Sequence, residues 1–188
     1  MPSAFGKPVT TANRFGVAAG GNGFKLITTL TASTSASLSY TAFDSTTHET
    51  YCVVLEDLAA ASAGNSLFVN GSVDAGSTYG ALWTGKTGAD GTVVTTPTTS
   101  TDMRIAMNCS NSANVGVHGC LYLQFGTAAS QRSVLYGTTV SRDNSNAMNL
   151  ARFGAYYDSA SPINALKFLF GAGNITSGTI HIYGLQKA

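Results

Sequence analysis

Eleven short runs of alternating or apolar residues, each closed by a turn-rich stretch, fill this chain from residue 24 onward. They cover 24–30, 36–43, 50–56, 66–70, 79–84, 102–108, 117–125, 131–140, 150–157, 163–170 and 178–185. Val, Ile, Thr, Tyr and Phe dominate them, the residues that suit a pleated, half-buried surface. Strand-length runs with turn signals between them predict an all-β chain folded as an antiparallel sandwich or barrel.

Helix signals are sparse. The stretch 57–64 (DLAAASAG) predicts one or two helical turns ahead of its glycine stop. Residues 146–157 fit either period, and Gly154 with the paired Tyr156 and Tyr157 decides for a strand. Residues 85–101 read as a long polar loop, of the length often found at an interface.

Residues 1–23 follow neither period. They hold two of the four prolines and end in Gly20-Gly21-Asn22-Gly23. They are expected to form an extended N-terminal arm, anchored on a partner through Phe5, Phe15 and Val17. Residues 24–188 are expected to form the sandwich domain.

Charge narrows the function. Only 10% of the residues are charged and the net charge is +1, against roughly 25% charged residues in an ordinary domain. With no basic run, a phosphate-tracking nucleic-acid binder is not expected. No run approaches the ~18 apolar residues of a membrane helix. The first residues lack the basic-then-apolar pattern of a secretion signal. A near-neutral surface suits a subunit of an assembly better than a free monomer.

Gly80-Ala81-Leu82-Trp83-Thr84-Gly85-Lys86-Thr87 matches GxxxxGK[ST]. A phosphate loop needs a strand before it and a helix after it. The following Gly88-Ala89-Asp90-Gly91 cannot start a helix, so the match is formal. Histidines 48, 118 and 181 are scattered, no GxSxG elbow exists, and the nine acidic residues sit mostly at strand ends, where they close turns. No catalytic, metal or cofactor residue is assigned, and the chain is not expected to be an enzyme. Cys52 reads as a small core residue, whereas Cys109 and Cys120 flank a turn and could meet across a hairpin; without a secretion signal a disulfide between them is not expected. Sugar sites on sandwiches use exposed aromatic rings; Tyr79, Trp83, Tyr156 and Tyr157 are the candidates.

Three patches carry a family resemblance. Ser72-Val73-Asp74-Ala75-Gly76-Ser77-Thr78-Tyr79, after the strand Leu67-Phe68-Val69, resembles the S-x-D-G-G-S-T-Y signature of small β-sandwich proteins of tailed-bacteriophage virions. In those proteins it follows a strand like 49–56 (ETYCVVLE). Residues 174–185 (NITSGTIHIYGL) resemble their closing N-I-x-S-G-T-I-x-L-Y-G-I/L strand, and 24–27 (FKLI) resembles their opening. Ala75, where the family usually has glycine, and the long 85–101 loop are departures.

The resemblance spans about residues 24–186. It implies a jelly-roll-like sandwich in a structural protein assembled into the virion in the host bacterial cytoplasm. Capsid decoration or cement proteins and tail fibre or tail-tip proteins share this module. The short chain favours decoration, with the major capsid protein or another virion protein as partner and a host-surface glycan as the alternative ligand. It further implies a homo-oligomer, a trimer by analogy. In 178–185, Ile180 and Ile182 are expected in the core, and the opposite face, with His181 and Tyr183, against another subunit.

Overall fold

A computed structural model describes residues 23–80, 83–89, 98–112, 115–126 and 131–187. Strand is the regular element throughout them. The strands are β1 (Phe24–Thr31), β2 (Leu38–Tyr40), β3 (His48–Ala60), β4 (Asn65–Ser72), β5 (Trp83–Ala89) and β6 (Thr98–Ser100), then β7 (Met103–Cys109), β8 (Val117–Gln124), β9 (Val134–Arg142), β10 (Met148–Tyr157), β11 (Ala165–Phe170) and β12 (Ile175–Gln186). Nearly all of the anticipated arm, with Phe5, Phe15 and Val17, lies outside the described residues.

Two antiparallel sheets form. The larger runs β1-β12-β3-β8-β9-β10-β5-β6 and the smaller β2-β11-β4-β7. One apolar layer joins them. Val53, Leu55, Leu121, Leu123, Leu135 and Ile182 come from the large sheet and Leu67, Val69, Ile105, Leu166 and Phe168 from the small one, all buried. Alternation explains the layer, because every second side chain of a strand points the same way. In β12 the buried positions are Ile175, Ile180, Ile182 and Gly184, and His181, Tyr183 and Leu185, alternating with the last three, are half-buried.

Two sequence expectations are corrected. The helix expected at 57–64 does not form. Its first residues extend β3 to Ala60, and only 61–64 turn. Asp57 takes a left-handed φ of 51° and the β3–β8 register shifts between Leu55 and Leu58. This bulge breaks the period of two, so Leu58, Ala59 and Ala60 are buried in succession and imitate a helical pattern. The strand expected at 79–84 begins at Trp83 and continues through Gly85 and Thr87, so β5 and β6 occupy much of the supposed polar loop. Residues 90–97 lie outside the described residues.

The small sheet ends at β7, whose free edge rests on the large sheet. Thr87 Oγ1 donates to the Arg104 carbonyl (2.6 Å) and Asn149 Nδ2 to the Met107 carbonyl (2.8 Å). The buried Thr139 hydroxyl donates to the Ile105 carbonyl.

Truncation inside the apolar layer tests this arrangement. Ile182→Ala is expected to destabilise the fold by about 2–5 kcal/mol, whereas His181→Ala, one residue along on the other face, costs about 1 kcal/mol or less. Urea unfolding of the two variants measures the difference.

Candidate interaction surface

The outer face of the large sheet is the broadest surface built from regular structure. Strand register lays its side chains in rows. One row crosses five strands as Leu26, Tyr183, Cys52, Tyr122 and Tyr136. The row beside it runs Phe24, Leu185, Thr50, Gln124, Val134 and Tyr156. The Tyr122 and Tyr136 rings stack with centroids 5.5 Å apart, and Phe24 tilts onto Tyr122 at 6.4 Å. Met148 is 75% exposed, Tyr156 60% and Leu26 56%. Exposed apolar residues scattered singly are ordinary; a continuous apolar sheet face marks an interaction site.

His181 and Tyr183, anticipated as partner contacts, both lie on this face. His181 is half-buried in a polar corner. Its Nε2 lies 3.1 Å from Glu56 Oε2 and its Nδ1 2.9 Å from Thr29 Oγ1. The imidazole beside Glu56 holds that carboxyl below its ordinary value. His118 approaches Asp57 at 3.8 Å, and Asp57 Oδ1 accepts from the Gly116 amide at 2.9 Å.

The cysteines differ from the expected arrangement. Cys120 meets Cys52, not Cys109, with the sulfurs 3.1 Å apart across β3 and β8. Cys109 is buried against Ser141. Burial, then the neighbouring sulfur, raises the Cys52 thiol to about 12, so it is a poor nucleophile. Turn spacing left the Cys109–Cys120 contact open; strand register, set by distant partners, brings Cys52 and Cys120 together instead.

The four aromatic candidates for sugar binding do not converge. Trp83 and Tyr157 are each 1% exposed and pack edge to face at 4.8 Å. The Tyr157 hydroxyl donates to the Gly71 carbonyl at 2.7 Å. Sugar stacking needs an open ring face, so these two are excluded as contacts; they seal the core beneath β4. Tyr79 lies on the small-sheet side, with Lys167 Nζ 4.2 Å from its ring centre. Tyr156 is on the large sheet, beside a 420 Å³ cleft lined by Gln124, Phe125 and Arg132.

From Trp83 onward the phosphate-loop lookalike is sheet. Gly85 pairs with Ala155 and Thr87 with Phe153. A Cβ on Gly85 would stand 2.3 Å from Ala155 Cβ, so this glycine permits close strand approach. Among the described residues no three His, Cys, Asp or Glu side chains gather to hold a metal ion, and no helix is long and apolar enough to cross a membrane.

The Ser72 signature forms a closed turn at the end of β4. Asp74 Oδ1 accepts from Ser72 Oγ (2.5 Å) and the Thr78 amide (2.9 Å), and Oδ2 accepts from Thr78 Oγ1 (2.6 Å). Asn164, ahead of β11, grips the turn from outside. It accepts from the Ala75 amide at 2.8 Å and donates to the Val73 carbonyl at 2.9 Å. The motif is therefore structural in its chemistry.

Sequence reading missed Tyr122, Tyr136 and Glu56 as surface residues. Alternation of Tyr122 with the buried Leu121 and Leu123 is the signal that places it outside. Comparison with known proteins finds no matching family model, no matching curated protein and no matching solved structure.

Ala75 adopts φ 56°, a left-handed conformation that costs a residue with a Cβ about 1–2 kcal/mol. Ala75→Gly is accordingly expected to raise unfolding stability by about 1 kcal/mol, measured by urea titration. Hydroxyl and amide donors hold the Asp44 and Asp74 carboxyls at about 2, below the ordinary 3.8. Their charged forms belong to the fold, so their contribution is complete above about pH 4. It is lost as pH falls through 3.8 toward 2. The melting temperature is expected to drop across that window, and less steeply in Asp74→Asn.

Proposed function

We propose that this chain is a non-enzymatic structural protein of a tailed-phage virion, and that it decorates and stabilises the capsid as a homo-oligomer bound to the major capsid protein or another shell component. The observation that carries the reading is the position of the resembling segments. Residues 24–27, 49–56 and 174–185 belong to β1, β3 and β12, which lie side by side in the large sheet. The signature turn joins the end of β4 to the loop before β11. Segments far apart in the chain thus resemble the family where they build one seam.

Strand order supports a jelly roll. With the hairpins β5–β6 and β9–β10 set aside, eight strands remain. They pair first with last (β1·β12), second with seventh (β2·β11), third with sixth (β3·β8) and fourth with fifth (β4·β7). That nesting supports a jelly-roll reading, the pattern that virus capsid domains and lectins share. Function rests on the segments and surfaces, since a fold alone does not assign it.

Tyr156 favours a second reading. An open aromatic ring beside a cleft with Gln124 and Arg132 offers stacking and hydrogen bonding to a sugar, as suits a tail-fibre or tail-tip protein at the host surface.

Copy number separates the two. Quantitative gel densitometry of purified virions is expected to give hundreds of copies per particle. A handful of copies selects the tail reading, and virions without the chain overturn both.

A further inference from the structure

The outer face of the large sheet presents an apolar centre between two ends of opposite charge. Its acidic end is Glu56 on β3, 63% exposed at the side chain, with Asp57 next to it. Its basic end is Arg142 on β9 and Arg152 on β10, both exposed. His118 and Cys120 on β8 lie between them, and the tyrosines Tyr122 and Tyr136 continue the face two residues further along the strands. A surface that is apolar in the middle and oppositely charged at its ends is complementary to itself when the ends are exchanged.

We propose that the occupant of this face is the same face of a second copy of this chain, related by a two-fold axis running along β8. This inference does not depend on which particle the protein serves. Register specifies the contact. An axis along β8 exchanges β3 with β9 and β12 with β10. Glu56 shares its level along the strands with His118 and Val140, and therefore lies over Val140 of the second copy. Arg142 is two residues from Val140 on β9, and Arg152 is one strand over and two residues along, opposite Thr138. The carboxylate thus falls between two guanidiniums. Tyr136 of one copy faces the Cys52 row position of the other, and Tyr122 sits on the axis.

Size agrees. The five strands from β12 to β10, spaced about 4.8 Å apart and eight or so residues long at about 3.3 Å each, give a flat footprint of roughly 25 by 27 Å per copy. Side-chain relief brings that toward the ~800 Å² per partner of a standard interface. Identical patches meet only about a two-fold. The closure is therefore a dimer or an even multiple, in place of the trimer implied by family analogy.

Sedimentation of the full chain at tens of micromolar tests the proposal. The expected species has twice the 19.3 kDa chain mass. Met148→Glu and Tyr136→Glu, at exposed positions, are expected to yield folded monomers, with folding checked by circular dichroism. Glu56→Arg and Arg152→Glu are each expected to weaken the dimer at least tenfold, and the double variant to restore it and its salt dependence. Met148→Glu, on the most exposed of these side chains, keeps the test valid if Tyr136→Glu does not fold. A monomer or a trimer in the parent chain overturns the proposal, as does a dimer indifferent to Met148→Glu or charge exchange without rescue.

Discussion

Three polar side chains of the large sheet close the open edge of the small one, and the sandwich depends on that closure. Eight strands face four, so β7 ends the small sheet in mid-air over the inner surface of the large one. Its Ile105 and Met107 carbonyls would otherwise be stranded among apolar side chains, whereas the Arg104 carbonyl lies at the exposed margin. Such an unmade hydrogen bond costs about 1–3 kcal/mol. Thr87, Thr139 and Asn149 supply the donors from β5, β9 and β10. The alternation of these strands admits polar residues inside for this reason. Beyond β7, the Trp83–Tyr157 edge-to-face pair completes the seal.

With the inner surface settled, the outer surface is free to be specialised. The scarcity of charge in the sequence has a location: most of the outer face of β12, β3, β8 and β9 carries Tyr, Val, Thr and Cys. A hydrogen-bonded sheet holds these side chains in fixed rows, so little ordering remains to be done on binding. That pre-organisation distinguishes a surface on strands from one on loops. The signature turn at Asp74 acts in the same direction, fixing the β4 end with hydroxyl and amide donors.

Much of this was legible in the sequence, and the failures have physical causes. The strands that became β3, β8, β10 and β12 alternate cleanly because one face of each is core and the other is not. Ile180 and Ile182 could be assigned inward, and His181 and Tyr183 outward, from period alone. The 57–64 misreading arose where the Asp57 bulge removes the period and alanines fill tight space. The β5 misplacement arose because Gly85 and Thr87 look like turn residues, while close strand approach and a bond to β7 require them. Trp83 and Tyr157 were candidates for an open site because ring chemistry alone does not report burial. The Cys52–Cys120 proximity and the tyrosine row depend on register between strands some seventy residues apart, which no local pattern carries.

The place of β12 has a consequence for how the chain comes to exist. It lies between β1 and β3, which share no hydrogen bonds with each other. About 115 residues separate the end of β3 from the start of β12. At a ribosomal rate of about 5–20 residues per second, β1 and β3 wait roughly 6–23 s for the strand that joins them. During that interval each exposes an unpaired edge, and β3 is long and apolar, a template for pairing with another nascent chain. Topologies dominated by such distant pairings fold on the slow millisecond-to-second scale. Yield of the native protein is therefore expected to fall as nascent chains become crowded, whatever the stability of the finished sandwich.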